Sequence, residues 1–330
     1  MLASLARLAP DRFTMFLVAT VLLATFAPPS EAFNTPLAIL TDIAIAFMFF
    51  LYGARLATST VIAGVSHWRL HALVLASTFV LFPVIGLAIS RLPGWILPGP
   101  LAIGMLYLCL LPSTIQSSLA FTSIAGGNVA AAMCAATLSS LVGTVLTPLL
   151  VGIFATVHGA SSTLEAVKEI FLLLIAPFIA GQLLRPWIGG FVARHKAILS
   201  ATDRGSILLV VYAAFGHAVA AGIWHVLPPS GLLAMLAIEA LVLAIALFTT
   251  HFLAVRLGFD RPDMIAIVFC GSKKSLAAGV PMAGVLFPGP DLGMVLLPLM
   301  LFHQMQLMVC AVLARRWAEQ RAALTPAPAE

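Results

Sequence analysis

The sequence predicts an all-α integral membrane protein whose ten transmembrane helices form two inverted repeats of five, with helices four and nine discontinuous where they cross. Three observations predict it. Of the 330 residues, 62% are hydrophobic and only 9% charged, against roughly 25% charged in an ordinary soluble domain. Lysine and arginine alternate between rich and poor loops. Polar residues also cluster beside a helix breaker within one apolar run of each half of the chain.

A spanning helix needs about 20 apolar residues, because each rises about 1.5 Å through roughly 30 Å of hydrocarbon. Reading the runs between Pro, Gly and charge clusters places spans at about 12–27, 36–57, 69–90, 98–124, 128–157, 164–187, 204–223, 231–257, 262–287 and 292–314. The first run follows Arg7 and Arg12 and stops near Pro28 and Pro29, a pattern that also fits a signal h-region. It is read as a span because its removal spoils the repeat.

The basic residues test this layout independently of hydropathy, since they collect on the cytoplasmic side. The side that holds the N-terminus carries thirteen: Arg7, Arg12, Arg55, Arg69, Arg185, Arg194, Lys196, Arg204, Arg256, Arg261, Arg315, Arg316 and Arg321. The other side carries two, Arg91 and Lys168. Both termini are therefore expected in the cytoplasm, with a tail at 315–330, and the expected location is the plasma membrane, the inner membrane of a bacterium. The formal charge of +5 follows from this topology, and no nucleic-acid surface is implied. Cys109, Cys134, Cys270 and Cys310 lie singly in apolar runs and read as small buried hydrophobes.

Five spans per half make the second half enter the membrane upside down relative to the first, as in many secondary transporters. A trace of the repeat is visible. Gln116-Ser117-Ser118-Leu119-Ala120 precedes Lys273-Lys274-Ser275-Leu276-Ala277 by 157 residues, with Ser-Leu-Ala in register. Pro112 precedes the first segment and Gly271 the second. Irregular backbone at membrane depth is tolerated where protein or a watery cavity satisfies it, so paired breaks point to a site. The plainer alternative is a pair of kinks that ease packing.

A charge at the bilayer centre costs about 2.5–3.5 kcal/mol on insertion scales, which makes mid-span ionisable residues functional candidates. Lys273 and Lys274 lead. Adjacent helical residues point about 100° apart, so one is expected to line the site while the other meets a carboxylate or water; a structural pair that fixes the crossing is the alternative. Glu239, one to two turns inside the eighth span, is the expected mid-membrane carboxylate that can neutralise a lysine or carry a proton, and a place facing the headgroups near its helix end is the alternative; Asp42, early in the second span, carries the same ambiguity. His303, Gln304 and Gln306 fall level with the bilayer middle, where they can bond the broken helices or a substrate. His217 and His251 read as helix-to-helix hydrogen-bond partners. No P-loop, HExxH or GxSxG motif occurs, and neither a cofactor nor a metal is expected.

Around the breaks the chain resembles the bile acid:sodium symporter superfamily, in particular the branch of the seventh member of solute carrier family 10 and its bacterial relatives. Phe269-Cys270-Gly271-Ser272-Lys273-Lys274-Ser275-Leu276 is similar to that branch's signature. Thr78-Phe79-Val80-Leu81-Phe82-Pro83, and Leu111-Pro112 through Ser117-Ser118 to Gly127-Asn128, are similar to the superfamily more broadly. The resemblance implies a core of helices at about 69–157 and 231–314 that moves against a panel of helices at about 12–57 and 164–223 in alternating access. It also implies sodium sites that are only partly present. Ser118 replaces an Asn of the first site, whose further hydroxyls fall near Ala132 and Ala136, with Thr137, Ser139 or Ser140 in reach under a shifted register. At the second site Thr78 and Lys273 replace Gln, and Phe269 or Cys270 replaces Glu. Unit charges 4 Å apart repel by roughly 4 kcal/mol at an effective dielectric of 20, so an ammonium there opposes sodium.

The expected function is secondary active transport of a small organic anion, with sodium or a proton as the coupling ion and a buried lysine reducing or replacing sodium. Gln116, Ser117, Ser118, Asn128, Thr78, Ser272, Lys273, Lys274, Ser275, His303 and Gln306 are the expected binding residues. Two other classes compete with it: a membrane regulator of calcium homeostasis, as the same resemblance implies, and a membrane-embedded lipid enzyme, which lacks any catalytic cluster.

Overall fold

A computed structural model of the protein describes residues 12–55, 67–157, 171–220, 222, 229–289 and 291–324. Arg7, Lys168, the start of the sixth expected span at 164–170 and the tail beyond 324 lie outside them. All regular structure among the described residues is helical. In chain order the elements are α1 (Arg12–Phe26), α2 (Glu31–Arg55), α3 (Trp68–Ala76), a π-helical turn (Ser77–Leu81), α4 (Phe82–Ile89), α5 (Gly99–Leu110), α6 (Gln116–Ala125) and α7 (Val129–Val157). A second π-helical turn (Phe171–Ile175) leads into α8 (Ala176–Arg194), followed by α9 (Lys196–Ala220), α10 (Pro229–Arg256), α11 (Arg261–Gly271), α12 (Leu276–Leu286) and α13 (Leu292–Leu324).

Eight helical segments among the described residues are long and apolar enough to cross a membrane, and α5 and the Met15–Phe26 stretch of α1 are shorter apolar helices. The protein is thus a multi-pass membrane protein. One segment stands apart. Across Arg261–Leu286, which contains α11 and α12, 94% of the apolar window is buried inside the protein, against 11–44% for the other seven. Large side chains such as Phe16, Phe33, Leu183, Leu233 and Phe248 cover the outside instead, as expected where lipid replaces water as the solvent.

Local chemistry sets the boundaries that matter for the site. Pro98 is extended (φ −53°, ψ 147°) and Pro100 sits in the first turn of α5, where its missing N–H costs nothing. The α6 helix ends on Gly126, whose φ of 75° is the left-handed cap that favours glycine. The Asp260 side chain caps α11 by accepting from the Asp263 amide at 2.9 Å, and Ser275 caps α12 by accepting from the Ala278 amide at 3.2 Å.

Two groups of helices pack mainly among themselves. In one, α1, α2, α8 and α9 lie together; in the other, α3–α7 and α10–α13 surround the two interrupted helices. The α2 and α8 backbones come close because each presents a glycine. A Cβ at Gly53 would strike the Phe178 carbonyl, and one at Gly181 the Phe50 carbonyl. Without a hydrophobic drive between membrane helices, such small-residue contacts supply the packing. Gly53→Leu and Gly181→Leu are each expected to cost about 1–3 kcal/mol, the usual penalty of overpacking, and to lower the melting temperature of the purified protein in detergent; an unchanged melt contradicts the close approach.

Candidate functional site

Two helix interruptions meet inside the protein. The first, residues 111–115, separates α5 from α6, and the second, residues 272–275, separates α11 from α12. Each frees backbone groups that water cannot reach, so each group needs a named partner.

The first interruption follows from Pro112, which has no N–H to continue α5. Its freed groups are then satisfied one by one. The Ser113 amide donates to Ser139 Oγ at 3.0 Å, Thr147 Oγ1 donates to the Leu110 carbonyl at 2.8 Å, and the Pro112 carbonyl accepts from the Ser275 amide at 2.9 Å. At the second interruption three serines from three elements donate to the carbonyls that end α11. Ser118 Oγ reaches Phe269 O at 2.9 Å, Ser113 Oγ reaches Cys270 O at 2.5 Å, and Ser77 Oγ reaches Gly271 O at 2.7 Å. Gln306 clamps the middle of this segment with both ends of its amide: Oε1 accepts from the Lys274 amide at 2.9 Å and Nε2 donates to the Lys274 carbonyl at 2.9 Å.

The Lys274 side chain occupies a cage of carbonyl oxygens. Its Nζ donates to Thr78 O at 3.0 Å, Cys109 O at 3.0 Å and Leu111 O at 2.7 Å, and lies 4.1 Å from the centre of the Phe82 ring. An ammonium has three donors, and all three are used. The acceptors exist because two helices are irregular. In the π-helical turn the Phe82 amide bonds Ser77 O. Pro83 has no N–H to take the next carbonyl, so Thr78 O is left for the lysine. Cys109 and Leu111 stand at the unravelled end of α5.

Lys273 points elsewhere. Its Nζ is 3.4 Å from Ser117 Oγ, and 4.5 Å and 5.5 Å from the ring centres of Phe121 and Phe269. That surrounding is aromatic and leaves donors uncommitted, although the residue is as fully buried as Lys274. Gln116, at the head of α6, lines a cavity of about 870 Å³ together with Arg55, Arg185, Ser200 and Asp203. Arg55 and Asp203 form an ion pair there, between α2 and α9.

The expected residues therefore divide. Lys273, Lys274, Ser117, Ser118, Ser275 and Gln306 meet at the interruptions. Thr78 contributes its carbonyl, while its hydroxyl bonds Val74 O in its own helix at 2.8 Å. Ser272 likewise turns its hydroxyl back on Val268 O at 2.6 Å. His303 Nδ1 lies 3.0 Å from Gln306 Nε2, one contact behind the clamp. Asn128 is elsewhere: its Oδ1 caps α7 by accepting from the Ala131 amide and its Nδ2 donates to Asp263 at 2.8 Å. Asp42 lies on the exposed face of α2. Glu239 is fully buried, yet neither carboxylate oxygen has a hydrogen-bond partner, so it neutralises neither lysine. His217 bonds Asn34 at 3.3 Å, and His251 lies tilted against Trp317.

Several contributors escape a reading of side-chain chemistry alone. Ser77, Ser113 and Thr147 are ordinary hydroxyls in apolar runs, Ser139 comes into view only through the resemblance, and the carbonyls of Cys109 and Leu111 leave no mark in residue type. Phe82 is adjacent to Pro83 in a segment already singled out, the one available signal. Among the described residues no group of three or more His, Cys, Asp or Glu could hold a metal ion.

Comparison with known proteins fits this architecture. The model of the SBF-like CPA transporter family matches residues 11–319. An uncharacterized protein of Pseudomonas aeruginosa is 54% identical over 327 residues, 98% of each chain. The "Putative symporter YfeH" of Escherichia coli is 53% identical over 310 residues, 94% of this chain and 93% of that one. The rat "Sodium/bile acid cotransporter 7" is 27% identical over 279 residues, 82% and 81% of the two chains. The family and the two relatives whose names state a role are transporters and not enzymes, and the chain belongs to the SBF-like CPA transporter family.

Proposed function

We propose that the protein is a secondary active transporter that moves a small organic anion across the cytoplasmic membrane by alternating access, with the Lys274 ammonium standing in for a coupling sodium ion. The observation that carries this reading is the cage itself. Three backbone carbonyls converging at a break in a membrane helix are the donor set that discontinuous transporter helices offer to an alkali cation. Here they surround a tethered cation. A sodium ion in the same place meets the Coulomb repulsion of that charge and finds its ligands taken. Lys274, rather than Lys273, then replaces the cation at Thr78, and Lys273 is left to face the substrate.

The ten-span inverted repeat underlies the mechanism. Adding α1 and the α5–α6 pair to the eight long segments makes ten. The contacts at the interruptions support the two-fold relation: Ser113 and Cys270, which bond each other, are 157 residues apart, the offset of the Ser-Leu-Ala repeat. The bond from Ser118 to Phe269 maps under the same offset onto the bond from Ser275 to Pro112. The moving core is α3–α7 with α10–α13, and the panel is α1, α2, α8 and α9. The cavity at Gln116 lies between them on the arginine-rich side, and the charge count supports a cytoplasmic position for that side. Arg55 and Arg185 on its wall and the N-terminal amides of α6 favour an anion.

The test is uptake by proteoliposomes across a panel of radiolabelled carboxylates and sulfate conjugates. Lys273→Gln is expected to fold and to lose at least ten-fold of the uptake found with the wild type. Silence across the whole panel overturns the anion reading. Lys274→Ala opens the cage, and its purified form is expected to gain a melting temperature that rises when sodium chloride replaces choline chloride, a response the wild type lacks. A wild type stabilised by sodium to the same extent contradicts the surrogate role.

A further inference from the structure

We infer that Glu239 is the binding site of a coupling proton, carried as a neutral carboxylic acid in the state described here. The inference rests on the transport reading above and adds to it the ion that Lys274, being covalently fixed, cannot be.

The side chain sits on the buried face of α10. Met235, Val242, Leu243 and Ala246, one turn before it and one or two turns after it, are all buried in the main apolar core, and Glu239 itself is 0% exposed. Both carboxyl oxygens lack a hydrogen-bond donor. Among the described residues no hydrogen bond or ion pair reaches it. The titratable groups on the elements packed against α10 are committed or distant in role. On α11 and the segment after it, Asp263 bonds Asn128, Arg261 bonds Gln320 and the Trp317 carbonyl, Cys270 donates to the Ala132 carbonyl, and Lys273 and Lys274 make the contacts described above. On α13, His303 meets Gln306, Cys310 is buried, and Arg315, Arg316, Glu319 and Arg321 lie in the last turns. The π-helical turn and α4 carry none.

A carboxylate in such a place has neither counter-charge nor hydrogen bonds, and burial then favours the neutral form. The step is simple: the carboxylate takes one proton from water on the open side, crosses as the acid, and returns that proton to water when the core exposes α10 on the other side. No bond other than O–H forms or breaks. An ionisable side chain buried within a membrane-crossing helix, without a partner, is expensive unless it is used.

The closing experiment is infrared difference spectroscopy on the full-length protein in nanodiscs, titrated with pH and repeated in D2O, with no anion added. The wild type is expected to show the C=O stretch of a protonated carboxylic acid that shifts with deuteration, moves with carboxyl-13C glutamate, and disappears at high pH. Glu239→Gln is expected to lose that band, and Glu239→Asp to keep a shifted one. A wild type without the band, or a band that survives in folded Glu239→Gln, overturns the site. Because the wild-type arm needs no substitution, a variant that fails to fold leaves the answer intact. In proteoliposomes, anion uptake that is indifferent to an imposed pH gradient overturns the coupling while the anion reading stands. If no anion moves at all but the band titrates and is lost in Glu239→Gln, the proton site stands and the anion reading falls.

Discussion

The bonding of one ammonium group, Lys274 Nζ, organises the centre of this protein. Three carbonyl oxygens from two separate segments converge on it, at 2.7–3.0 Å, and none of the three can be satisfied by its own helix. Remove the charge, and an apolar interior is left holding three unpaired acceptors, each worth about 1–3 kcal/mol of lost solvation. The irregular π-helical turn and the broken end of α5 are therefore stabilised by the lysine. The lysine in turn is tolerable at membrane depth only because of them.

The same mutual dependence extends outward. Ser77, Ser113 and Ser118 close the carbonyls at the end of α11, Gln306 fixes the backbone of Lys274 itself, and Ser139 and Thr147 hold the break after α5. Two adjacent lysines thus take different roles from their directions alone. Lys274 is saturated by its three carbonyl partners. Lys273, against Phe121, Phe269 and the Ser117 hydroxyl, keeps donors to spare. A cation that is part of the chain supplies the electrostatics of a bound ion without its mobility. On the proposed reading, energy for uphill movement enters through another group, the proton site proposed at Glu239.

Much of this was legible in the sequence, and the limits have physical causes. Membrane spans announce themselves because about 20 apolar residues in a row have little other use. The breaks were visible as Pro112 and Gly271 beside mid-span polar clusters, and the prominence of Lys273, Lys274 and Gln306 followed from the cost of burying them. The cage was not legible, because its oxygens belong to the backbone: Cys109 and Leu111 look like any apolar residues. Nor was the role of Pro83, which acts by a missing hydrogen in a turn whose π register depends on the fold. Asn128 was misplaced for a related reason. Its side chain suits a binding site and a helix cap equally, and the left-handed Gly126 just before it sets up the cap. For Glu239, residue type and position marked it as important, but only packing could show that no lysine reaches it.

The account turns on whether a lysine has taken over the work of sodium. The most direct measurement is anion uptake by wild-type proteoliposomes with membrane potential and pH gradient clamped, while sodium is replaced stepwise by choline. The account predicts a rate that does not change across the series. A steep rise with sodium, of the order that two coupled ions produce, would contradict it.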